Sequence, residues 1–270
     1  MKNLAVIAVI AIMMAACGGS GSSSGSGSGK GNIILKGKRG VMSFRLAGEG
    51  KVTIDWGNGK RETHEFENED ILGFFKDKDK FYYEQNYNYF FHEYSKASAF
   101  TITITGDSIC ALECKETELT GLDVSRCTTL KSLECGWNQL TSLDVSNCSA
   151  LVSLDCAKNQ IVSLDVSKNT GLKYLGCNYN QLKSLITGNN TTLDRVHCLN
   201  NQLTSLDVSK CTALTHLDCC ENQLTSSALN DLFGTLHSNP LRYREVRIAE
   251  NSGSKDCDQT IAKKKGWRVF

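Results

Sequence analysis

The sequence predicts a mainly β chain. Its middle reads as a solenoid with a parallel sheet on one face and short or no helices on the convex side, between an N-terminal antiparallel β-sandwich and an α/β C-terminal cap. The first observation behind this is a register. Cys114, Cys135, Cys156, Cys177, Cys198 and Cys219 recur at one interval (135 − 114 = 21, and each later step is the same). Leu112, Leu133, Leu154, Leu175, Val196 and Leu217 keep the step two residues earlier, and Asn138, Asn159, Asn180, Asn201 and Asn222 three residues later. A short unit that buries its apolar face only by stacking on copies of itself produces such a register. The second observation is a change of pattern at both ends: alternation of apolar and polar residues before the repeats, helical spacing after them.

Taken in order, residues 1–16 have the form of a secretory signal, with Met1-Lys2-Asn3 followed by an apolar run from Leu4 to Ala16. The run is shorter than the roughly 20 residues of a spanning helix; a buried apolar helix is the alternative. Met14-Ala15-Ala16-Cys17 resembles a bacterial lipobox with Met where Leu is usual. The resemblance implies cleavage before Cys17 and a diacylglycerol on its sulfur. Residues 17–32 are then the lipidated Cys17 and a Gly/Ser tether with almost nothing to pack. The expectation is an exported protein, lipid-anchored to a bacterial membrane at the outer membrane or cell surface.

Residues 33–105 alternate as half-buried strands do, in Val41–Leu46, Lys51–Trp56 and Phe100–Thr105, with a tight turn at Gly57-Asn58-Gly59 and an aromatic-rich stretch from Phe81 to Tyr94. This predicts a small antiparallel sandwich. Ile54-Asp55-Trp56-Gly57-Asn58-Gly59, the later His92-Glu93-Tyr94 and the closing strand resemble the polycystic-kidney-disease (PKD) type sandwich, whose motif is W-G-D-G and then H-x-Y. Asn58 stands in place of the usual Asp.

Residues 106–225 follow L-x-x-L-x-C-x-x-N-Q-L-x-x-L-D-V-S, as in Leu130 to Leu140 followed by Leu143-Asp144-Val145-Ser146. This is the leucine-rich-repeat pattern with Cys at the third leucine. The return leg recurs at Leu122, Leu164 and Leu206 and departs at Leu185-Ile186-Thr187-Gly188. Too few residues follow each strand for a long helix, so the convex side is expected to be extended or turn-like. The composite resembles the cysteine-containing 21-residue repeats of the internalin J type, carried by bacterial surface proteins. That resemblance implies a right-handed solenoid displayed at a cell surface for adhesion or recognition. In residues 226–270, Leu229, Leu232, Phe233 and Leu236 have helical spacing, Arg244–Ile248 reads as a strand, and Asn251 repeats the Asn of the coils. A solenoid needs such a terminal unit to cover its last apolar layer.

The 13 cysteines of an exported chain raise the question of disulfides. Stacked strands lie about 4.8 Å apart with equivalent side chains pointing the same way, whereas disulfides need Cβ atoms about 3.8 Å apart and facing. A ladder of dry thiols is the better reading. Cys127, Cys148 and Cys211 share a second ladder with Asn169 and Asn190, which suggests a turn position that bonds backbone; Cys220 and Cys257 are the candidates for oxidation. The Asn series reads as structural, each side chain satisfying backbone groups of neighbouring coils. Asp123, Asp144, Asp165 and Asp207 read as turn caps rather than a calcium ladder, because Ile186 breaks their series. A formal charge of +1 gives no basis for nucleic-acid binding. No H-E-x-x-H or Walker-type loop occurs, so no catalytic residue, metal site or cofactor is assigned.

Candidate binding residues are those the repeat does not dictate. The positions flanking the second Leu of each strand point away from the core. With the residues just beyond, they supply Trp137, Tyr174, Tyr179, Arg195, His197, His216 and Asp218. Aromatics and Arg dominate binding hot spots, although single exposed aromatics are also ordinary surface residues. His197 and His216 with Asp218 could share a metal ion, but such a site needs three or four convergent ligands. The sequence thus predicts a monomeric surface lipoprotein, not an enzyme, that binds a protein or glycan through its repeat sheet. The alternatives are a structural spacer or envelope-assembly component, and an accessory protein in polysaccharide handling.

Overall fold

The structure, a computed structural model, describes residues 31–66, 88–239 and 243–270. The expected signal segment, Cys17, the expected tether as far as residue 30 and the aromatic-rich residues 81–87 lie outside the described residues. Gly31 and Asn32, given to the tether by the sequence, already pair in a strand with Gly106 and Thr105.

Two long bent strands, β1 (Gly31–Asp55) and β3 (Asn88–Glu113), run antiparallel, with the short β2 (Arg61–Glu65) on the far edge of β1. The separate strands read from the sequence are segments of these two. Ile104 of β3 pairs with both Ile33 and Ile54, so the beginning and end of β1 flank one segment of β3. The middle of β1 pairs instead with residues 88–93 and 108–113. The turn after β1 needs glycine: Gly57 has φ +75°, and a Cβ there would meet the Thr101 carbonyl oxygen at 2.2 Å. The motif residues meet here. Trp56 and His92 stack with centroids 4.7 Å apart, Tyr94 donates its hydroxyl to the Trp56 carbonyl at 2.8 Å, and the amide of Asn58 bonds Nε2 of His92 at 2.8 Å.

The C-terminal end of β3 is also the first strand of the parallel sheet. Ala111–Glu113 pair with β5 (Ser132–Glu134), and the series continues through β6 (Ser153–Asp155), β8 (Tyr174–Gly176), β10 (Arg195–His197) and β11 (His216–Asp218) to β12 (Glu245–Arg247) and β13 (Arg268–Val269). The intervening strands are β4 (Leu119–Asp123), which pairs with β1, and the convex pair β7 (Ser163–Asp165) and β9 (Ser184–Ile186). A mainly β solenoid with a parallel sheet follows, with an extended convex side.

Its interior is built from ladders. The six repeat cysteines are free thiols, each at most 1% exposed. Free Cys packs as a small hydrophobe, and burial pushes every one of these thiols above its usual range. The Asn ladder closes each turn. In a typical coil, Nδ2 of Asn180 donates to the carbonyls of Cys156 (3.0 Å) and Cys177 (3.2 Å), and Oδ1 accepts the Ile161 N–H at 3.0 Å. In the second ladder Cys and Asn do one job: Cys148 Sγ donates to the Val124 carbonyl, Asn169 Nδ2 to Val145 and Asn190 Nδ2 to Val166. Asp144, Asp165 and Asp207 each accept the N–H of the Ser two residues on, the turn-capping role. Cys220 and Cys257 are free thiols, both partly buried.

After the regular coils come α1 (Ser226–Thr235), which buries Leu229, Leu232 and Phe233, and α2 (Thr260–Lys264). The last coil is longer than the others: Leu217 pairs with Val246, a step of 246 − 217 = 29. Asn251 still makes the ladder bonds, to the carbonyls of Cys219 and Ile248. The Lys263-Lys264-Lys265 run divides. Lys263 and Lys264 are exposed, but Lys265 donates to the Gly234 and Leu236 carbonyls, satisfying acceptors that the end of α1 leaves open. Among the described residues no helix is long and apolar enough to cross a membrane.

Candidate recognition face

Strand register sets the outward side chains in two columns. One runs Ser132, Ser153, Tyr174, Arg195, His216, Glu245; the other runs Glu134, Asp155, Gly176, His197, Asp218, Arg247. The two halves of this face differ. Ser132, Ser153 and Glu134 are buried despite pointing off the core, and Glu134 pairs with Lys115. Burial pushes the Glu134 carboxyl up against the pull of that ammonium. Beyond Tyr174, Arg195, His197, His216 and Asp218 are half-exposed, Glu245 is buried and Arg247 is exposed.

Tyr174 does not project as the sequence suggests. Its ring lies along the sheet over Gly176, where an added Cβ would meet the Tyr174 hydroxyl at 2.8 Å and Asp155 Oδ1 at 3.3 Å. Burial holds the phenol well above its ordinary range. The ring leaves a tilted face against His197, with centroids 5.7 Å apart. Arg195, next in the column, lies with Nε 3.6 Å from Asp194.

Trp137 and Tyr179 are not on the strands at all. They occupy the turn position immediately before the ladder Asn, and that position has positive φ in every coil: Glu116, Trp137, Lys158, Tyr179, Asn200, Glu221 and Glu250 lie between 52° and 57°. Non-glycine residues avoid this region. Here the ladder forces it, since the following Asn must turn inward. Trp137 and Tyr179 are 45% and 43% exposed. Lys158 sits between them, its Nζ 3.3 Å from the Trp137 ring centroid and 5.1 Å from that of Tyr179, a cation–π arrangement that fixes all three side chains.

His197, His216 and Asp218 do come together, in a pocket of about 390 Å³ that also holds Tyr243, Glu245 and Arg247. The last three were missed, because the 29-residue step hides their register from a 21-residue frame. Tyr243 donates its hydroxyl to Glu245 Oε2 at 2.6 Å, and Arg247 pairs with Glu245 Oε1 at 3.1 Å. Thr215 Oγ1 lies 2.7 Å from His216 Nδ1 and anchors that ring. Burial lowers both imidazoles from their usual range, with the Arg195 charge adding to the effect on each, so both favour the neutral form at pH 7. Among the described residues no three His, Cys, Asp or Glu side chains converge closely enough to hold a metal ion. Two further exposed aromatics, Tyr89 and Phe91, pair in register with Arg45 and Ser43 of β1. They lie in the stretch the sequence marks as aromatic-rich.

No family model matches the chain, and no curated protein matches it. Solved structures are similar over part of it, among them the following two. One is the functional domain of InlJ from Listeria monocytogenes, described as including a cysteine ladder; it is 30% identical over 57% of this chain and 37% of that one, with a TM-score of 0.42. The other is a leucine-rich-repeat protein of Leptospira interrogans, 19% identical over 54% of this chain and 44% of that one, with a TM-score of 0.43. The chain spans less than half the length of either.

Proposed function

We propose that this chain is a recognition protein without chemistry of its own, binding a protein or glycan through the aromatic turn row and the adjoining sheet face. The observation that carries the reading is the Trp137–Lys158–Tyr179 stack. Two large exposed aromatics are held on fixed backbone by a buried hydrogen-bond ladder and braced by a cation. Rigid anchors of this kind lose little conformational freedom on binding, so more of their contact energy survives as affinity.

The finer reading is a surface lipoprotein of the internalin-like kind. The signal-like start, Cys17 and the tether support it from the sequence. In this reading the antiparallel part is a PKD-like sandwich covering the first coil, and residues 226–270 cap the last. The contacts among Trp56, His92 and Tyr94 and the burial of Trp267 support those two roles. Incorporation of a tagged fatty acid that is lost on Cys17→Ala tests the anchor; equal labelling of the variant overturns it.

The binding reading is tested by screening the full chain against matrix proteins and glycans beside the Trp137→Ala/Tyr179→Ala variant. A hit weakened at least tenfold in the variant, with unchanged unfolding, supports the site. Unchanged affinity removes it.

A further inference from the structure

We infer that the pocket where the last regular coil meets β12 is a subsite for one or two neutral sugar residues. The inference rests on the recognition reading above and narrows its ligand. Volume is the first argument: about 390 Å³ lies at the small end of ligand pockets, a size suited to a pyranose or a disaccharide and too small for a protein epitope.

The donor set is the second. A sugar hydroxyl gives one hydrogen bond and accepts others, so neighbouring hydroxyls are matched by fixed acceptors and donors side by side. The pocket provides this arrangement. Asp218 and Arg247 are register neighbours on adjacent strands, and Arg247 is tied to Glu245, which is tied in turn to Tyr243. These contacts hold planar carboxylate and guanidinium groups in place before any ligand arrives, and charge-assisted bonds of this type are the stronger kind. His197, favoured neutral, offers both a donor and an acceptor nitrogen, and His216, whose Nδ1 is held by Thr215 Oγ1, offers Nε2.

Ring faces are the third argument. His216 and Tyr243 lie 5.7 Å apart at 35°, giving the wall two flat apolar surfaces against which the C–H face of a sugar ring can pack. Charge separates neutral from acidic sugars. Asp218 and Glu245 put two carboxylates in the pocket against the guanidinium of Arg247, and the Arg195–Asp194 pair beside His216 adds one charge of each sign. Arg268 is drawn onto the Tyr243 ring, 4.8 Å from its centroid. With these charges in balance, an anionic sugar would meet no net positive charge to offset its own.

The test uses the full chain on an array of neutral oligosaccharides of glucose, galactose, mannose and N-acetylhexosamines, with sialylated and sulfated oligosaccharides beside them. Arg247→Ala, Asp218→Asn and Trp137→Ala/Tyr179→Ala are run in parallel, each checked for an unchanged urea midpoint. The expected result is binding to neutral oligosaccharides that Arg247→Ala and Asp218→Asn each weaken at least tenfold. The pocket assignment is overturned by neutral-sugar binding that survives both substitutions, by preference for acidic glycans, or by no glycan signal at all. A protein or glycan signal lost only in the Trp137→Ala/Tyr179→Ala variant overturns the pocket while leaving the broader recognition reading standing.

Discussion

Trp137 and Asn138 are adjacent in the chain and opposite in everything else. Asn138 turns inward, and its counterparts at 159, 180, 201 and 222 are all Asn, each bonded to the same backbone groups one coil away. Trp137 turns outward, and its counterparts are Lys158, Tyr179, Asn200 and Glu221, alike only in φ. The stack dictates whatever must be satisfied without water and leaves free whatever faces it. Structure is therefore read where the coils agree, and function where they differ. The sharpest way to break this comparison is to remove an inward member. Asn180→Ala leaves the Ile161 N–H without its acceptor and takes one of two Asn donors from each of the Cys156 and Cys177 carbonyls, which keep Asn159 and Asn201. An unsatisfied buried group costs about 1–3 kcal/mol, so a loss of about 2 kcal/mol is expected in urea unfolding. A loss under 1 kcal/mol would mean that the ladder follows the turn rather than holding it.

Substitution one residue earlier should do the reverse. Trp137→Ala is expected to weaken ligand binding at least tenfold, about 1.4 kcal/mol, while the unfolding midpoint barely moves. Tyr179→Gly sharpens the contrast further. Glycine removes the strain of φ 54°, worth roughly 1 kcal/mol, and takes away the more weakly held ring of the stack. This variant should be more stable than the parent and bind less well. If it is less stable, the ring's contacts with Lys158 outweigh the backbone strain.

The same contrast explains how much was legible in advance. Cys, Leu and Asn at a fixed step gave the solenoid, because one residue type at one step implies one environment repeated. The helix at Leu229, Leu232, Phe233 and Leu236 was equally open, as periodicity is local. The site was less so. Positive φ at Trp137 leaves no trace in composition, since five residue types share that row. Tyr174 was read as projecting because nothing in a strand pattern says that Gly176 makes room for its ring to lie flat. Tyr243, Glu245 and Arg247 escaped because α1 lengthens the last step from 21 to 29 and shifts them out of frame. Ser132 and Ser153 occupy outward positions and are nonetheless buried, which alternation alone cannot foresee.

The antiparallel part offers the smallest and most specific test, because Asn58 does once what the ladder Asn does in every coil. Its amide bonds Nε2 of His92 at 2.8 Å, and with the amide N–H donating, the ring nitrogen must accept and the imidazole stays neutral. Burial lowers the His92 pKa below 6.5, and the Lys60 charge lowers it further against the opposing pull of Glu62. Between the folded and unfolded values the unfolded chain binds more protons. The stability from this group is therefore complete above about pH 6.5 and is lost as pH falls through 6.5 toward the folded value. Asn58→Asp should reverse the sign. A carboxylate beside the ring favours the imidazolium and raises the folded pKa, so its contribution is present below 6.5 and is lost as pH rises through the new folded value. His197 and His216 are also lowered by burial, but they titrate alike in both proteins and cancel in the difference. Relative to the parent, the variant should thus be favoured at pH 5 and disfavoured at pH 8, with a higher His92 pKa by NMR. An unchanged His92 titration would show that Asn58 touches the ring without setting its charge.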